Sequence, residues 1–119
     1  MMQKKSLWVV VAAMLLMMVL AMNGVAADEE VFTSGDYQYR ILEDNAIEIC
    51  RYQGEETLLE IPKQIENRIV EKIRYNAFYD CDSIEYVLIP NNVVMIESNP
   101  FLYCDNLKEI EVAYGLSLI

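Results

Sequence analysis

The sequence predicts a repeat solenoid, in which coils of about 23 residues stack through a short parallel β-sheet behind an N-terminal β-hairpin cap. Three observations predict it. The stretches AFYDCDSIEYVLIP and PFLYCDNLKEIEVA repeat at an offset of 23 positions. Apolar and polar residues alternate between turn residues in the segment before them, and an apolar run opens the chain. The first observation is the strongest, because an internal repeat predicts architecture better than local propensity does.

Residues 1–27 have the three parts of a secretory signal peptide. A basic start precedes an unbroken apolar run over 7–22, and the small residues V-A-A end at Ala27. We predict cleavage after Ala27, which would leave the mature chain secreted or at the cell surface. The alternative is an uncleaved anchor, since 7–27 is just long enough to span a bilayer. Polar Asn23 and the V-A-A ending favour cleavage.

The charge of the chain excludes two classes of partner. The 119 residues carry a formal net charge of −10, and cleavage of the signal would remove two lysines and make it −12. Nucleic acids and anionic membranes are bound by positive charge that displaces their counterions. We therefore expect no nucleic-acid partner and no membrane association of the mature form.

The segment 28–57 predicts the hairpin cap. YQYRIL and AIEICRY are two β-rich segments joined by Glu43, Asp44 and Asn45, and Gln53-Gly54-Glu55 follows the second. Alternating strands separated by turn residues are typical of a hairpin. The segment shows no helical periodicity.

Residues 58–119 are predicted to form the coils. The 23-residue offset aligns eight pairs of similar residues: Val70 with Val93, Ile73 with Ile96, Asn76 with Asn99, Phe78 with Phe101, Cys81 with Cys104, Ile84 with Leu107, Val87 with Ile110, and Ile89 with Val112. A single coil cannot bury its own apolar face, so neighbouring coils must stack. Because the Phe, Cys and aliphatic residues recur at the same spacing in both units, we predict that they face the interior of the coils.

The strand of each coil has the apolar spacing L-x-x-L-x-L. Residues Ile84, Val87 and Ile89 fit it, and a half-unit ending at Leu59 and Ile61 fits it with a glutamate, Glu56, at its first position. Stacked strands of this kind lie about 4.8 Å apart in a parallel sheet. Prolines at 62 and 90 are predicted to close their strands, and the extra residues at 63–68 to form a loop.

These motifs resemble the BspA-like leucine-rich repeats of bacterial surface and secreted proteins. The resemblance rests on IPNNVVMI, NAFYDCDSI and NPFLYCDNL, and it covers about residues 32–113. It implies a leucine-rich solenoid that binds other molecules, with adhesins for host matrix proteins or other cells among the relatives. The chain departs from the pattern at Pro100, where the family prefers Ala, and at Ala113, where a proline usually ends the strand.

The absence of histidine from the whole chain argues against an enzyme. It removes Ser-His-Asp and Cys-His catalysis and the usual zinc sites. A carboxylate-dependent glycosidase would need a cleft between two carboxylates, which two coils do not offer. We expect no catalytic residues, no cofactor and no metal. Asp80, Asp82 and Asp105 are interpreted as turn residues that bond nearby amides, and not as calcium ligands.

The cysteines leave two interpretations open. Cys81 and Cys104 occupy equivalent positions on neighbouring coils, so a disulfide between them is sterically allowed, and an exported protein could form it. Alternatively each thiol is a small apolar filler of the core, which we favour. Cys50 has no partner in the repeat and is predicted to be buried.

The candidate protein-binding residues are those predicted to point outward from the coil strands: Glu85, Tyr86, Leu88, Lys108, Glu109 and Glu111. Tyrosines at 75, 79, 86 and 103 cannot all face the core, and exposed tyrosines suit interfaces. The plain alternative is an ordinary solvated sheet.

Two functional hypotheses follow. The first is an adhesin-like interaction module that binds a protein of a host or neighbouring cell through its strand face. The second is a structural fragment, the capped start of a longer array without activity of its own. Its apolar last coil, ending at Leu116, Leu118 and Ile119, would then favour self-association, since solenoids need about three repeats and a terminal cap.

Overall fold

The computed structural model describes residues 29–113, which form nine β-strands in two sheets. The predicted signal peptide and the last six residues, 114–119, lie outside the described part. Between residues 29 and 113 no helix is long and apolar enough to cross a membrane. The strands are β1 (Phe32–Ser34), β2 (Tyr37–Ile41), β3 (Ile47–Tyr52), β4 (Leu58–Glu60), β5 (Gln64–Ile65), β6 (Arg68–Ile73), β7 (Tyr86–Ile89), β8 (Met95–Ile96) and β9 (Glu109–Val112).

The three-stranded sheet has the order β4-β7-β9, and all its strands are parallel. Leu59 pairs with Val87, and Val87 pairs with Ile110. Leu59, Val87 and Ile89 are buried, as the L-x-x-L-x-L spacing predicts. Alternate residues of the same strands therefore point out of the core.

The six-stranded sheet is mixed. Strands β1, β2 and β3 pair antiparallel, whereas β3, β6 and β8 pair parallel, and the short β5 pairs antiparallel with β6. In the parallel part Ile49, Ile73 and Ile96 lie side by side. Strand β3 thus belongs both to an antiparallel pair and to the parallel stack, so the segment before residue 58 and the segment after it share one sheet.

Two turns depend on residues with positive φ. Gly35 (φ 55°) opens the two-residue turn between β1 and β2, where the lack of a Cβ removes the strain. Glu66 (φ 51°) and Asn67 (φ 62°) form the turn between β5 and β6, with the two positive φ values of a type I′ turn. The prediction of a loop over 63–68 was therefore wrong, because the extra residues pair with one another as a hairpin. Strand β1 was not predicted.

The core lies between the two sheets and contains a row of four aromatic rings in contact, of which Phe78 and Phe101 are stacked and the others are tilted. The ring centroids of Tyr37 and Tyr52 are 5.1 Å apart, those of Tyr52 and Phe78 are 5.6 Å apart, and those of Phe78 and Phe101 are 4.9 Å apart. Phe78 is fully buried between its two neighbours. Each ring comes from a different pass of the chain, so the row ties the N-terminal strands to the coils.

Backbone hydrogen bonds run between neighbouring coils at the same level as the rings. The amide of Tyr52 donates to the carbonyl of Ala77 (2.8 Å), and the amide of Phe78 donates to the carbonyl of Pro100 (2.8 Å). Pro100 has no backbone N–H to donate. Its counterpart one coil earlier, Ala77, donates its N–H only to the nearby carbonyl of Arg74. The departure at Pro100 therefore costs no bond between coils.

The last described coil is less buried than the others. Ile96, Ile110 and Val112 are 43%, 44% and 42% exposed. Their strand partners in the preceding coil, Ile73 and Val87 and Ile89, are at most 3% exposed. These side chains point to the same side of their sheets as their buried partners, but they remain partly exposed to solvent.

Substitution of Phe78 tests the role of the ring row. Phe78→Ala should lower the free energy of unfolding by about 3–5 kcal/mol, because it empties a fully buried site between two rings. Phe78→Leu should cost about 1 kcal/mol, since most of the volume remains. Urea unfolding followed by circular dichroism measures both values. The matched control is Tyr75→Ala, which removes a half-exposed ring and should cost less than about 1 kcal/mol. Equal losses for Phe78→Ala and Tyr75→Ala would contradict the role of the row.

Candidate protein-binding surface

The outward residues of the three-stranded sheet form two rows across its strands. The first row consists of Leu58, Tyr86 and Glu109, and the second of Glu60, Leu88 and Glu111. Residues within a row are neighbours on adjacent strands, about 4.8 Å apart, and the two rows are two residues apart along each strand. We call these six residues the strand face.

The strand face contains a shallow groove of about 300 Å³, lined by Leu58, Glu60, Tyr86, Val87, Leu88, Glu109 and Glu111. Leu58 is 57% exposed and Tyr86 is 41% exposed. Large apolar side chains beside each other on a rigid sheet are the usual core of a binding interface. Three of the four strand-face residues on β4 and β7 are thus apolar, and the fourth, Glu60, and both residues on β9 are carboxylates.

A lysine borders the strand face. Lys108 forms an ion pair with Glu85, and its ammonium lies 5.7 Å from the centroid of the Tyr86 ring. The hydrogen bond that Lys108 donates to the carboxylate of Glu85 raises the pKa of Lys108 above its usual value. Both partners are partly exposed, so the pair adds little to stability. It does orient Lys108 beside the ring.

The structure brings most of the predicted binding residues together. Tyr86, Leu88, Glu109 and Glu111 line the groove, and Glu85 and Lys108 precede their strands at its border. The sequence analysis missed Leu58 and Glu60. The signal that could have found them was present, because inward Leu59 and Ile61 require the residues between and before them to point outward.

The other exposed tyrosines lie elsewhere. Tyr79 and Tyr103 are on the turns between the sheets and contact each other edge to face, with ring centroids 5.5 Å apart. Tyr75 follows β6, and the guanidinium of Arg74 lies over its ring, 5.2 Å from the ring centroid. Only Tyr86 of the four predicted tyrosines belongs to the groove.

The outer side of the six-stranded sheet holds a network of ion pairs. Glu48 is 1% exposed and pairs with Arg40 and with Lys72, whose nitrogen is 3.3 Å from its Oε1. Lys72 also lies 2.7 Å from Glu97 and lowers the pKa of that carboxyl. A buried carboxylate needs such partners to remain charged. The Oε1 of Glu48 accepts no hydrogen bond and is neutralised only by the charge of Lys72, and we interpret the network as structural.

The described cysteines are all free thiols. The Sγ of Cys104 is buried and donates to the carbonyl of Phe78 (2.9 Å), and the Sγ of Cys81 lies 4.0 Å from the carbonyl of Tyr52. A disulfide between Cys81 and Cys104 is not formed in this structure, and its formation stays a prediction. Cys50 is half-buried on β3.

The aspartates of the turns line a second concavity. It measures about 650 Å³ and includes Arg51, Tyr79, Asp80 and Asp82. Asp80 has φ 57°, a left-handed conformation that aspartate tolerates. The carboxylates of Asp80, Asp82 and Asp105 take part in none of the side-chain hydrogen bonds found between residues 29 and 113, so the prediction that they bond nearby amides was wrong. Within those residues no group of three His, Cys, Asp or Glu side chains could hold a metal ion.

A model of a known repeat family matches this chain. The model of the BspA type leucine rich repeat region matches residues 28–119, in six copies. The chain belongs to the BspA-type leucine-rich repeat family. The repeats of this family occur in bacterial surface proteins, which supports a role in protein interaction. The resemblance inferred from IPNNVVMI, NAFYDCDSI and NPFLYCDNL is confirmed.

Solved structures of bacterial leucine-rich repeat proteins share the fold. A leucine rich repeat protein of T. pallidum is 32% identical with a TM-score of 0.62, over 69% of this chain and 39% of that one. A leucine rich cell surface protein of Faecalibacterium prausnitzii A2-165 is 31% identical with a TM-score of 0.65, over 73% and 24%. A leucine-rich repeat protein of Bacteroides capillosus is 26% identical with a TM-score of 0.61, over 71% and 67%.

This chain spans about two fifths of the T. pallidum protein and about a quarter of the Faecalibacterium protein. No protein with a curated description matches it.

The thiols provide a test of the packing around the coils. Burial, and then the neighbouring Cys104, raise the pKa of Cys81 to about 11 from an ordinary 9.0. Because the thiolate is the nucleophile, alkylation of Cys81 by iodoacetamide near pH 8 should be about a hundredfold slower than in the unfolded chain. Cys104, which is more buried, should react no faster. Peptide mass mapping measures each rate.

The control is the chain in urea, where all three thiols should react alike. Rapid alkylation of Cys104 in the folded chain would contradict the described packing. A non-reduced peptide pair lighter by two hydrogens would show the disulfide instead.

Proposed function

We propose that this chain is an exported, non-enzymatic interaction module that binds a protein partner through the strand face. The observation that carries the proposal is the groove in which Leu58, Tyr86 and Leu88 lie side by side on one sheet. Export follows from the predicted signal peptide, with cleavage near Ala27. The Faecalibacterium relative is described as a cell surface protein, which favours the same location and an adhesin-like role.

The rigidity of the sheet supports recognition by this surface. The strands are joined beyond their ladders by bonds such as the amide of Ile61 to the carbonyl of Leu88 (3.0 Å) and the amide of Ala113 to the carbonyl of Ile89 (2.8 Å). Inward Val87 and Ile89 anchor β7 in the core. A surface that is already ordered pays less conformational entropy on binding. The partner would therefore meet a preformed site.

We further propose that residues 28–57 act as the cap that covers the first coil. Tyr52 contacts the ring of Phe78, Tyr37 contacts the ring of Tyr52 in turn, and β3 pairs with β6. Without these contacts, Phe78 and the inward residues of β6 would meet solvent. The coils then extend from residue 58, with the strand face on one side.

A second candidate function is self-association through the last coil. It is favoured by the exposure of Ile96, Ile110 and Val112, whose counterparts one coil earlier are buried. An uncovered end of a stack can bind the end of another stack, because both present the same backbone and apolar pattern. The structural-fragment hypothesis predicts the same surface.

The interaction function is tested by removing the apolar part of the groove. The original chain is first tested for binding to four immobilised matrix proteins: fibronectin, fibrinogen, collagen and laminin. The double variant Tyr86→Ala/Leu88→Ala should bind the protein that retains the original chain with at least about tenfold lower affinity. The reason is that a few buried anchor residues contribute most of the binding energy of an interface. Surface plasmon resonance measures it.

The matched control is Tyr75→Ala/Ile69→Ala, which removes an exposed tyrosine and an exposed aliphatic residue from another part of the surface. It should bind as the original chain does. Equal loss in the two double variants, or no retention on any of the four proteins, would count against this function.

Self-association is tested by analytical ultracentrifugation of the protein purified after export from the bacterium that produces it. The chain should form dimers or larger species at micromolar concentration, and Ile110→Lys/Val112→Lys should shift it to monomer, because charge is costly in an apolar contact. Ile41→Lys/Ile69→Lys changes two exposed apolar residues elsewhere and should leave the distribution unchanged. A monomer at all concentrations would rule this candidate out.

A further inference from the structure

We propose that the strand face selects a partner segment that combines an apolar side chain with lysine or arginine side chains. The inference rests on the proposed function and adds the chemistry of the partner. It follows from the position of Glu60, Glu109 and Glu111 around the groove, from the absence of ion pairs to these three carboxylates within residues 29–113, and from the contact of Lys108 with Tyr86 at the border.

The apolar centre requires an apolar contact. Leu58 and Tyr86 are neighbours in one row, and Leu88 lies beside them in the other, two residues from Tyr86 along β7. Leu58 and Tyr86 each expose around half of their surface. Together they form a patch about two strands wide, which matches one aliphatic or aromatic side chain of a partner.

The carboxylates around this centre point to cations on the same partner. Glu60 lies at one corner of the strand face, and Glu109 and Glu111 lie along its opposite edge on β9. All three are exposed. A partner that covered the apolar centre with an acidic or neutral segment would bring like charges together or would remove water from carboxylates without replacing it. A basic segment would do neither.

The two outer faces of the molecule differ in how their carboxylates are neutralised. On the six-stranded sheet, Glu29, Glu48 and Glu97 all pair with arginine or lysine of the chain itself. On the strand face, among the ion pairs formed between residues 29 and 113, none includes Glu60, Glu109 or Glu111. The charges of Glu29, Glu48 and Glu97 are therefore compensated within the chain, whereas those of Glu60, Glu109 and Glu111 are left available to a partner.

Lys108 shows how a cation fits at this border. Its ammonium binds Glu85 and lies 5.7 Å from the centroid of Tyr86, so one ring serves both as an apolar surface and as a cation contact. A partner lysine or arginine that approached from the other side of the groove would meet Glu60 in the same way. Its aliphatic stem would cover Leu58 or Leu88.

The experiment uses three fluorescein-labelled peptides that share two leucines and differ only in the residues between and around them. The sequences are Ser-X-Leu-X-Leu-X-Ser, with X as Lys, Gln or Glu. Fluorescence anisotropy with the exported protein at about 20 mM salt should show that the lysine peptide binds about tenfold tighter than the glutamine peptide, and that the glutamate peptide binds more weakly still. The lysine peptide should lose most of that advantage at about 1 M salt.

Two variants of equal charge separate a local effect from the field of an acidic protein. E60Q/E109Q/E111Q should bind the lysine and glutamine peptides alike. E30Q/E43Q/E55Q changes the charge by the same amount at exposed positions away from the groove, and it should keep the preference for lysine within about twofold. Circular dichroism confirms that both variants are folded.

Equal affinity for the lysine and glutamine peptides would overturn the inference, as would equal loss of the preference in both triple variants. If none of the three peptides bound the protein, that result would also count against the inference. The proposed function is judged separately: if matrix-protein binding depends on Tyr86 and Leu88 but is unaffected by E60Q/E109Q/E111Q, the interaction function stands and the basic partner is wrong.

Discussion

The structure depends on stacking between passes of the chain, because no single pass can bury its own apolar residues. Phe78 shows the constraint most directly. Its ring is covered by Tyr52 on one side and by Phe101 on the other, and its amide bonds the carbonyl of Pro100 in the next coil. Burial and backbone pairing are thus satisfied by the same neighbour. Each coil is stable only when another coil lies against it.

Stacking also determines where a binding surface can be. In parallel strands at a common register, alternate residues face the core, and the residues between them form rows on the outside. Val87 and Ile89 anchor β7 inside, while Tyr86 and Leu88 face out beside Leu58. The outward side chains, which we propose as the binding surface, are held in place by the inward side chains of the same strands. This division of roles gives a small chain an ordered outer surface.

The repeat could be predicted from the sequence because it depends on local spacing. Leu59, Val87 and Ile89 are buried as the L-x-x-L-x-L pattern requires. The segment over 63–68 was predicted as a loop, since its extra length breaks the repeat, yet positive φ at Glu66 and Asn67 allows a tight hairpin. The double role of β3 was also missed. Its sequence shows a strand, but its partners are residues about 24 positions away, and no local pattern records which strands will pair.

The sequence by itself determined which residues of β4 and β7 face inward and the excess of negative charge, because these depend only on residue types and their order along the chain. Only the tertiary structure decided that Leu58 and Glu60 join Tyr86 and Leu88 in one groove, and that Glu48 is neutralised by Arg40 and Lys72 whereas Glu109 and Glu111 face the groove. The physical reason is strand register. Contacts across a sheet depend on pairing between distant segments, and burial depends on whether a further coil covers the residue.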